Sequence, residues 1–227
     1  MSRVRLALVT ALAGIAALTA CSSSSDGPDS DSGTKGGDKP AAAAAVKPVT
    51  EELTQAQLTQ ALPGDGEMLP GWTLHGDKDV TDGPYCNRSD DDSTPAGWIR
   101  GGDSSYEYDG STNNMAHVHI CLFDSEESAH HAYTEWKGTE TSKEQAPKPS
   151  VGDESTLVIN PGASEDTVYG FARSGRANIR VRIEGGTGDD PSGAQATLSA
   201  TLKRLQQLQD NKAATVRAPD ELVTATN

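Results

Sequence analysis

Aromatic side chains are scarce: three Trp, five Tyr and two Phe stand among 227 residues. Alanine makes up 28 of the apolar residues, so the chain holds material for one modest core and not for two large ones. Basic residues are also short, 19 against 33 acidic, which leaves a net charge of −14. A surface this acidic repels phosphate, so no nucleic acid is expected as a partner, nor anionic lipid held through a basic patch. No apolar run reaches the roughly 20 residues that a membrane-crossing helix needs. The G-x-S-x-G, H-E-x-x-H and P-loop signatures are absent. The chain therefore offers no catalytic residue and no cofactor, and the expectation is a protein that is not an enzyme.

What is present begins with a leader. Ser2-Arg3-Val4-Arg5 is a short basic start, and Leu6 to Leu18 is an uncharged apolar run of 13 residues. That length suits a secretory signal peptide. Leu18-Thr19-Ala20-Cys21 resembles the lipobox of bacterial lipoproteins. The resemblance implies cleavage before Cys21 and lipidation of its thiol, with palmitate among the acyl chains. Each buried CH₂ adds about 0.8 kcal/mol, so two or three chains hold a protein on a membrane without a span. The expected location is the outer face of the cell membrane.

The chain divides into residues 1–20 as signal peptide, 21–49 as lipidated disordered tether, 50–210 as one domain, and 211–227 as disordered tail. The tether is rich in Ser, Gly, Asp and Ala and has no aromatic residue. It cannot bury enough surface to offset its ordering entropy. The domain opens on a helix: Thr54 and Gln57 form a capping box, and Leu53 and Leu58 occupy the staple positions. Pro63-Gly64 stops it. Trp72 to Val80 reads as a strand, and Asp82 to Ser105 as a polar loop with a short strand at Trp98-Ile99. Met115 to Phe123 is the clearest strand. Ala116, Val118, Ile120 and Leu122 alternate with His117, His119, Cys121 and Phe123. A helix capped by Asp124 or Ser125 buries Ala129, Ala132, Tyr133 and Trp136. Ser155–Ile159, Thr167–Arg173 and Ala177–Ile183 are further strands, the last two joined at Ser174-Gly175-Arg176. Asp190-Pro191 opens a long helix with the stripe Ala194, Leu198, Leu202, Leu205 and Leu208. The order predicts an α+β fold, a twisted antiparallel sheet packed with about three helices.

Four segments carry a family resemblance: Leu69–Trp72 (LPGW), Cys121–Trp136 (CLFDSEESAHHAYTEW), Val151–Ser155 (VGDES) and Ala172–Ile183 (ARSGRANIRVRI). Together they resemble the PknH-like extracellular sensor domain of actinobacterial receptor kinases and lipoproteins, over residues 50–210. The resemblance implies a twisted antiparallel sheet with packed helices and a cleft for a ligand, without saying which ligand. Kinase members of that family can carry two disulfides, whereas this chain has cysteines for one.

Assigning Cys21 to lipid leaves Cys86 and Cys121 as a pair, and an exported protein favours their disulfide. Closing a loop of about 35 residues stabilises by roughly 3.5–4 kcal/mol on the chain-entropy model. His117 and His119 lie two apart on one strand face, as a metal pair could, but no third ligand has a recognisable spacing, so no metal is expected. His130 and His131 point in different directions on a helix, and Asp90-Asp91-Asp92 lacks the spacing of a calcium loop. Trp98, Tyr106 and Tyr108 stand among Gly, Ser and Asp, where aromatic rings can stack on sugars or peptides. The competing role for them is to fill a thin core. The expectation is a cell-surface lipoprotein with an extracytoplasmic ligand-binding or scaffolding module, sensor-like, its ligand site beside Trp98–Tyr108 and not at the histidines. Partners in that case are the membrane, through the lipid, and a cell-wall glycan, peptide or protein. The alternative is a small cell-envelope hydrolase or metal-dependent enzyme.

Cys21→Ser removes the only acceptor that the lipobox offers. The variant is expected to leave the membrane fraction or to persist unprocessed, and its normal partitioning into a detergent phase would refute lipidation at this residue.

Overall fold

The computed structural model describes residues 47–88, 91–138, 140–162, 166–185 and 190–225. The signal peptide, Cys21 and most of the tether lie outside the described residues, as does Asp90 of the acidic run. Seven strands form one antiparallel sheet in the order β1-β2-β3-β7-β6-β5-β4. In chain order these are β1 (Trp72–Thr81), β2 (Trp98–Tyr108), β3 (Ser111–Phe123), β4 (Lys143–Gln145), β5 (Glu154–Asn160), β6 (Thr167–Ser174) and β7 (Ala177–Glu184). The helices are α1 (Gln55–Ala61), α2 (Glu126–Lys137), α3 (Ser192–Gln209) and α4 (Ala218–Ala225). The chain runs from β3 through α2 to the far edge and steps back strand by strand, so β7 returns to lie beside β3. The α+β architecture expected from the sequence is the one observed.

Alternation along the strands sorts the two faces of the sheet. Ala116, Val118, Ile120 and Leu122 of β3 lie opposite Ile183, Val181, Ile179 and Ala177 of β7, all buried. This face takes α1 and α3, and the stripe Ala194, Leu198, Leu202, Leu205 and Leu208 is buried against it. The Thr54–Gln57 capping box forms as expected, with Leu53 and Leu58 buried beneath it. Helix α3 begins at Ser192, one residue later than the sequence suggests, and the Asp190 carboxylate accepts from Ser192 N at 2.9 Å. On the second face, α2 buries Ala129, Ala132, Tyr133 and Trp136. The Ser125 hydroxyl caps this helix by accepting from Ser128 N at 3.1 Å. Asn178 of β7 holds it down, donating to Ala129 O at 2.9 Å.

Three expectations are corrected. The polar, glycine-rich segment after Trp98 is not a loop but an 11-residue strand between β1 and β3. Its small residues admit neighbours that larger ones would push away: a Cβ on Gly101 would lie 3.2 Å from the Thr81 side chain of β1. The sequence also hides β4, three exposed residues with no apolar signal at the edge of the sheet.

The third correction concerns both ends of the domain. Val49 is fully buried, and its carbonyl accepts from Arg176 N at 2.8 Å. Gln206 and Gln209 of α3 donate to Lys47 O and Pro48 O, so the end of the expected tether is part of the body. The expected disordered tail also packs, because α4 lies on α3. Ala218 enters the core and Val216 and Leu222 pack against it, and polar hooks add to these apolar contacts. Glu221 is buried and accepts from Ser199 Oγ at 2.6 Å and from Lys203 Nζ at 2.7 Å. Arg204, 3% exposed, donates to the carbonyls of Ala61 at 2.9 Å and Val216 at 3.0 Å and pairs with Glu67 at 2.9 Å. One guanidinium thus ties α1, α3 and the chain beyond α3 together.

Removing a partner from such a buried charge network costs about 3–5 kcal/mol. Arg204→Met is therefore expected to lower the unfolding free energy by about 3 kcal/mol or more in denaturant titration. An unchanged midpoint would mean that this clamp contributes nothing.

Candidate functional site

Trp98, Tyr106 and Tyr108 fall on one strand but not in one site. Trp98 and Tyr108 sit at opposite ends of β2, ten residues apart, or roughly 33 Å at the rise of a strand. Trp98 packs half-buried beside Cys86, Cys121 and Phe123. Tyr108 is half-buried against Trp72, ring centroids 5.3 Å apart. Its ring also covers Gly71, whose φ of 85° and missing side chain admit it: a Cβ there would lie 2.6 Å from the ring. Tyr106 is fully buried, and its hydroxyl donates to Pro63 O at 2.7 Å. Burial pushes that phenol well above its ordinary range. Tyr106 is therefore core packing, and the half-buried Trp98 and Tyr108 are too far apart to share one site with it.

The open ground lies on the second face of the sheet, beside the histidines. Helix α2 covers Asn178, Phe171 and Phe123 but stops short of the other half of this face. Register brings His117 opposite Ser105 and Arg182, and His119 opposite Asp103 and Arg180. A 3₁₀ turn at Gly83–Cys86 forms one wall. The disulfide between Cys86 and Cys121, Cα atoms 5.9 Å apart, fixes that wall to the central strand. Two adjoining hollows share Asp82 and Tyr85. One, of about 540 Å³, has Arg180 and Asn87 in its lining, and the other, of about 630 Å³, has Asp79, Asp103, His117 and His119. Val80 and Tyr85, 63% and 62% exposed, are the large apolar side chains that the described surface leaves open, and both belong to this cleft.

Three floor residues keep buried nitrogens without a hydrogen-bond partner: His119 Nδ1, Arg180 Nε and Arg182 Nε. Unpaired buried polar atoms are few in a folded protein and each calls for a reason. Others here, such as Trp98 Nε1, Trp136 Nε1 and Asn178 Oδ1, lie off the floor, whereas these three lie on neighbouring residues of β3 and β7. The Arg180 guanidinium lies 4.7 Å from the Trp136 ring centroid. Burial brings its pKa down to about 10, so it still carries its charge at neutral pH. Burial and the nearby Arg180 charge hold His119 well below its ordinary value. His117 is lowered by burial and then by Arg182, and its Nδ1 lies 3.0 Å from Ser105 Oγ. Arg182 pairs with Glu184. Among the described residues no three His, Cys, Asp or Glu side chains come together as a metal set.

Sequence reasoning missed Arg180, Arg182 and Tyr85. A signal was there: Arg180 and Arg182 alternate with apolar residues just as His117 and His119 do. Two strands carrying polar residues at every second position announce a sheet face that the core does not use.

Because His119 is buried in its neutral form, the unfolded chain binds a proton that the folded chain refuses between the two pKa values. Stability then rises with pH across that window. The contribution is complete above the ordinary histidine value of 6.5 and is lost as pH falls below it. Melting temperature is expected to decline from pH 7 to pH 5, and His119→Gln to flatten the decline. An equal slope in both proteins would assign the effect elsewhere.

No family model and no curated protein matches the chain. Among solved structures, the crystal structure of the extracellular domain of PknH from Mycobacterium tuberculosis aligns over 74% of this chain and 100% of that chain, at 9% identity and a TM-score of 0.41. A similarity at that level transfers neither a fold nor a ligand.

Proposed function

We propose that the chain is a cell-surface lipoprotein held by Cys21, and that its α+β body is an extracytoplasmic ligand-binding module of the sensor kind. Its ligand seat is the cleft between the 3₁₀ turn and the β2-β3-β7 centre. The observation that carries this reading is the cleft floor, where the buried His119 Nδ1 and Arg180 Nε have no hydrogen-bond partner among the described residues. The Cys86–Cys121 bridge supports the extracytoplasmic part, because such bonds persist in oxidising compartments. It also keeps the cleft wall rigid, which lowers the entropy cost of binding.

A hydrolase is the other reading, and one observation favours it: Ser105 and His117 form a nucleophile–base contact of 3.0 Å. Three features oppose it. Burial and Arg182 make the imidazole a weaker base than usual. No carboxylate accepts from its other ring nitrogen among the described residues. Ser105 sits mid-strand, where the backbone N–H groups that could stabilise an oxyanion belong to the sheet ladder.

Hydrogen exchange on the full chain in detergent, with and without a dialysed hydrolysate of cell envelope, tests the reading. Protection is expected at Gly83–Cys86 and at His117–Cys121. Protection absent there, or confined to the β1 edge, would sink it, and covalent capture of Ser105 by a fluorophosphonate would turn the assignment to the hydrolase.

A further inference from the structure

We propose that Arg180 is a carboxylate-binding residue and that the ligand of this cleft is a small zwitterion, an amino acid or short peptide with an apolar side chain and both termini free. This rests on the cleft being the ligand seat.

The other described arginines already have oxygen partners. Arg100, Arg173, Arg182, Arg204 and Arg217 each meet a carboxylate. Arg176 donates to the carbonyls of Phe123 and Thr50, and Arg88 has an interaction of its own. Arg180 has none among the described residues: its guanidinium lies over the Trp136 ring, its Nε is closed off without an acceptor, and Glu140 acts on it only through space. A guanidinium cannot escape the cost of burial by losing its proton, so a desolvated one without an anion is destabilising. It lines the cleft beside Asn87 and Tyr85, where an entering carboxylate could take a two-pronged charge-assisted hydrogen bond.

Charge counting selects the anion. Arg182 is neutralised by Glu184, and burial keeps the two histidines from adding charge to the floor. Asp103, opposite His119 and held by Thr81, returns one negative charge to the floor. Arg180 is thus not a free excess charge but the floor cation without an ion pair among the described residues, a match for a singly charged carboxylate better than for a doubly charged phosphate. The rim then asks for a cation. Asp82 and Asp92 are both exposed carboxylates on the same hollow, and the whole chain carries a net charge of −14. Tyr85 and Pro84 line the same hollow as Arg180, and Val80 lines the adjoining one, an apolar surface suited to an aliphatic or aromatic side chain. An anionic end, a cationic end and an apolar flank together describe an amino acid or short peptide.

Calorimetric titration of the full chain in detergent tests this with alanyl-leucine, its C-terminal amide, its N-acetyl form and inorganic phosphate. Alanyl-leucine is expected to bind, with the amide and the phosphate weaker by about tenfold or more. Arg180→Gln should weaken alanyl-leucine by a similar factor, and Arg180→Lys, which keeps the charge without the fork, by less. Asp82→Asn should narrow the gap between the free and the N-acetyl dipeptide. Melting curves show whether Arg180→Gln is folded, and if it is not, Arg180→Lys with the amide comparison decides. Equal binding of acid and amide, phosphate binding at least as tightly as alanyl-leucine, undiminished binding by folded Arg180→Gln, or no alanyl-leucine binding at about 10 mM would each overturn the proposal. Protection of Gly83–Cys86 by envelope hydrolysate in the same preparation then separates two failures. With protection, the ligand class is wrong and the seat stands. Without it, the seat falls as well.

Discussion

Everything in this protein follows from the alternation along β3 and β7, the two strands at the middle of the sheet. One set of side chains, Ala116, Val118, Ile120 and Leu122 with Ile179, Val181 and Ile183, is apolar and fully used by α1 and α3. The other set changes character along the strands. Near Cys121 and Asn178 it is buried beneath α2, whereas near His117 and Arg182 it meets a hollow. A sequence with ten aromatic residues cannot cover both faces of seven strands. The uncovered half of the second face is the consequence, and the cleft is built on it.

The disulfide turns that shortage into a defined shape. Without Cys86, the turn after β1 would be joined to the body by little apolar contact, since Tyr85 points to solvent. Bonded to Cys121, it stands as a wall beside the floor of β2, β3 and β7. Trp136 adds the second constraint. It makes an edge contact with Phe171 and lies against Arg180. The guanidinium is therefore held by an aromatic face and not by an acid, which leaves its charge available.

How much of this the sequence discloses depends on whether a residue's role is local. The strand at Met115–Phe123, the stripes of α2 and α3, and the Thr54 capping box are periodic or adjacent signals, and all were legible. The cysteine pair was legible by counting. Strand β2 was not, because Gly101, Gly102, Ser104 and Ser105 look like a loop until the neighbours that need their small size are known. Helix α4 was hidden because it is short and its few apolar contacts, Ala218 and Leu222, are joined by the buried acid Glu221 in place of a long stripe. The candidate site was half legible. His117 and His119 stand out in the sequence, but they suggest metal, and the aromatics of β2 suggested stacking. Only the register between β3 and β7 puts Arg180 beside His119.

That pairing also explains why the site carries a stability cost. Side by side across two strands, a permanent cation and an imidazole repel each other's charge, and burial suppresses the one that can yield. His119 yields by staying neutral; Arg180 cannot, and stays charged with no ion pair among the described residues. A core designed only for folding would place Leu or Val at both positions, as it does at Val118 and Val181 one residue away on the other face. Local rules are broken at folded sites chiefly where something else is gained. On the proposed reading the gain is a guanidinium without an ion pair among the described residues, on a floor made rigid by the disulfide, a feature that binding a carboxylate would use and scaffolding alone would not.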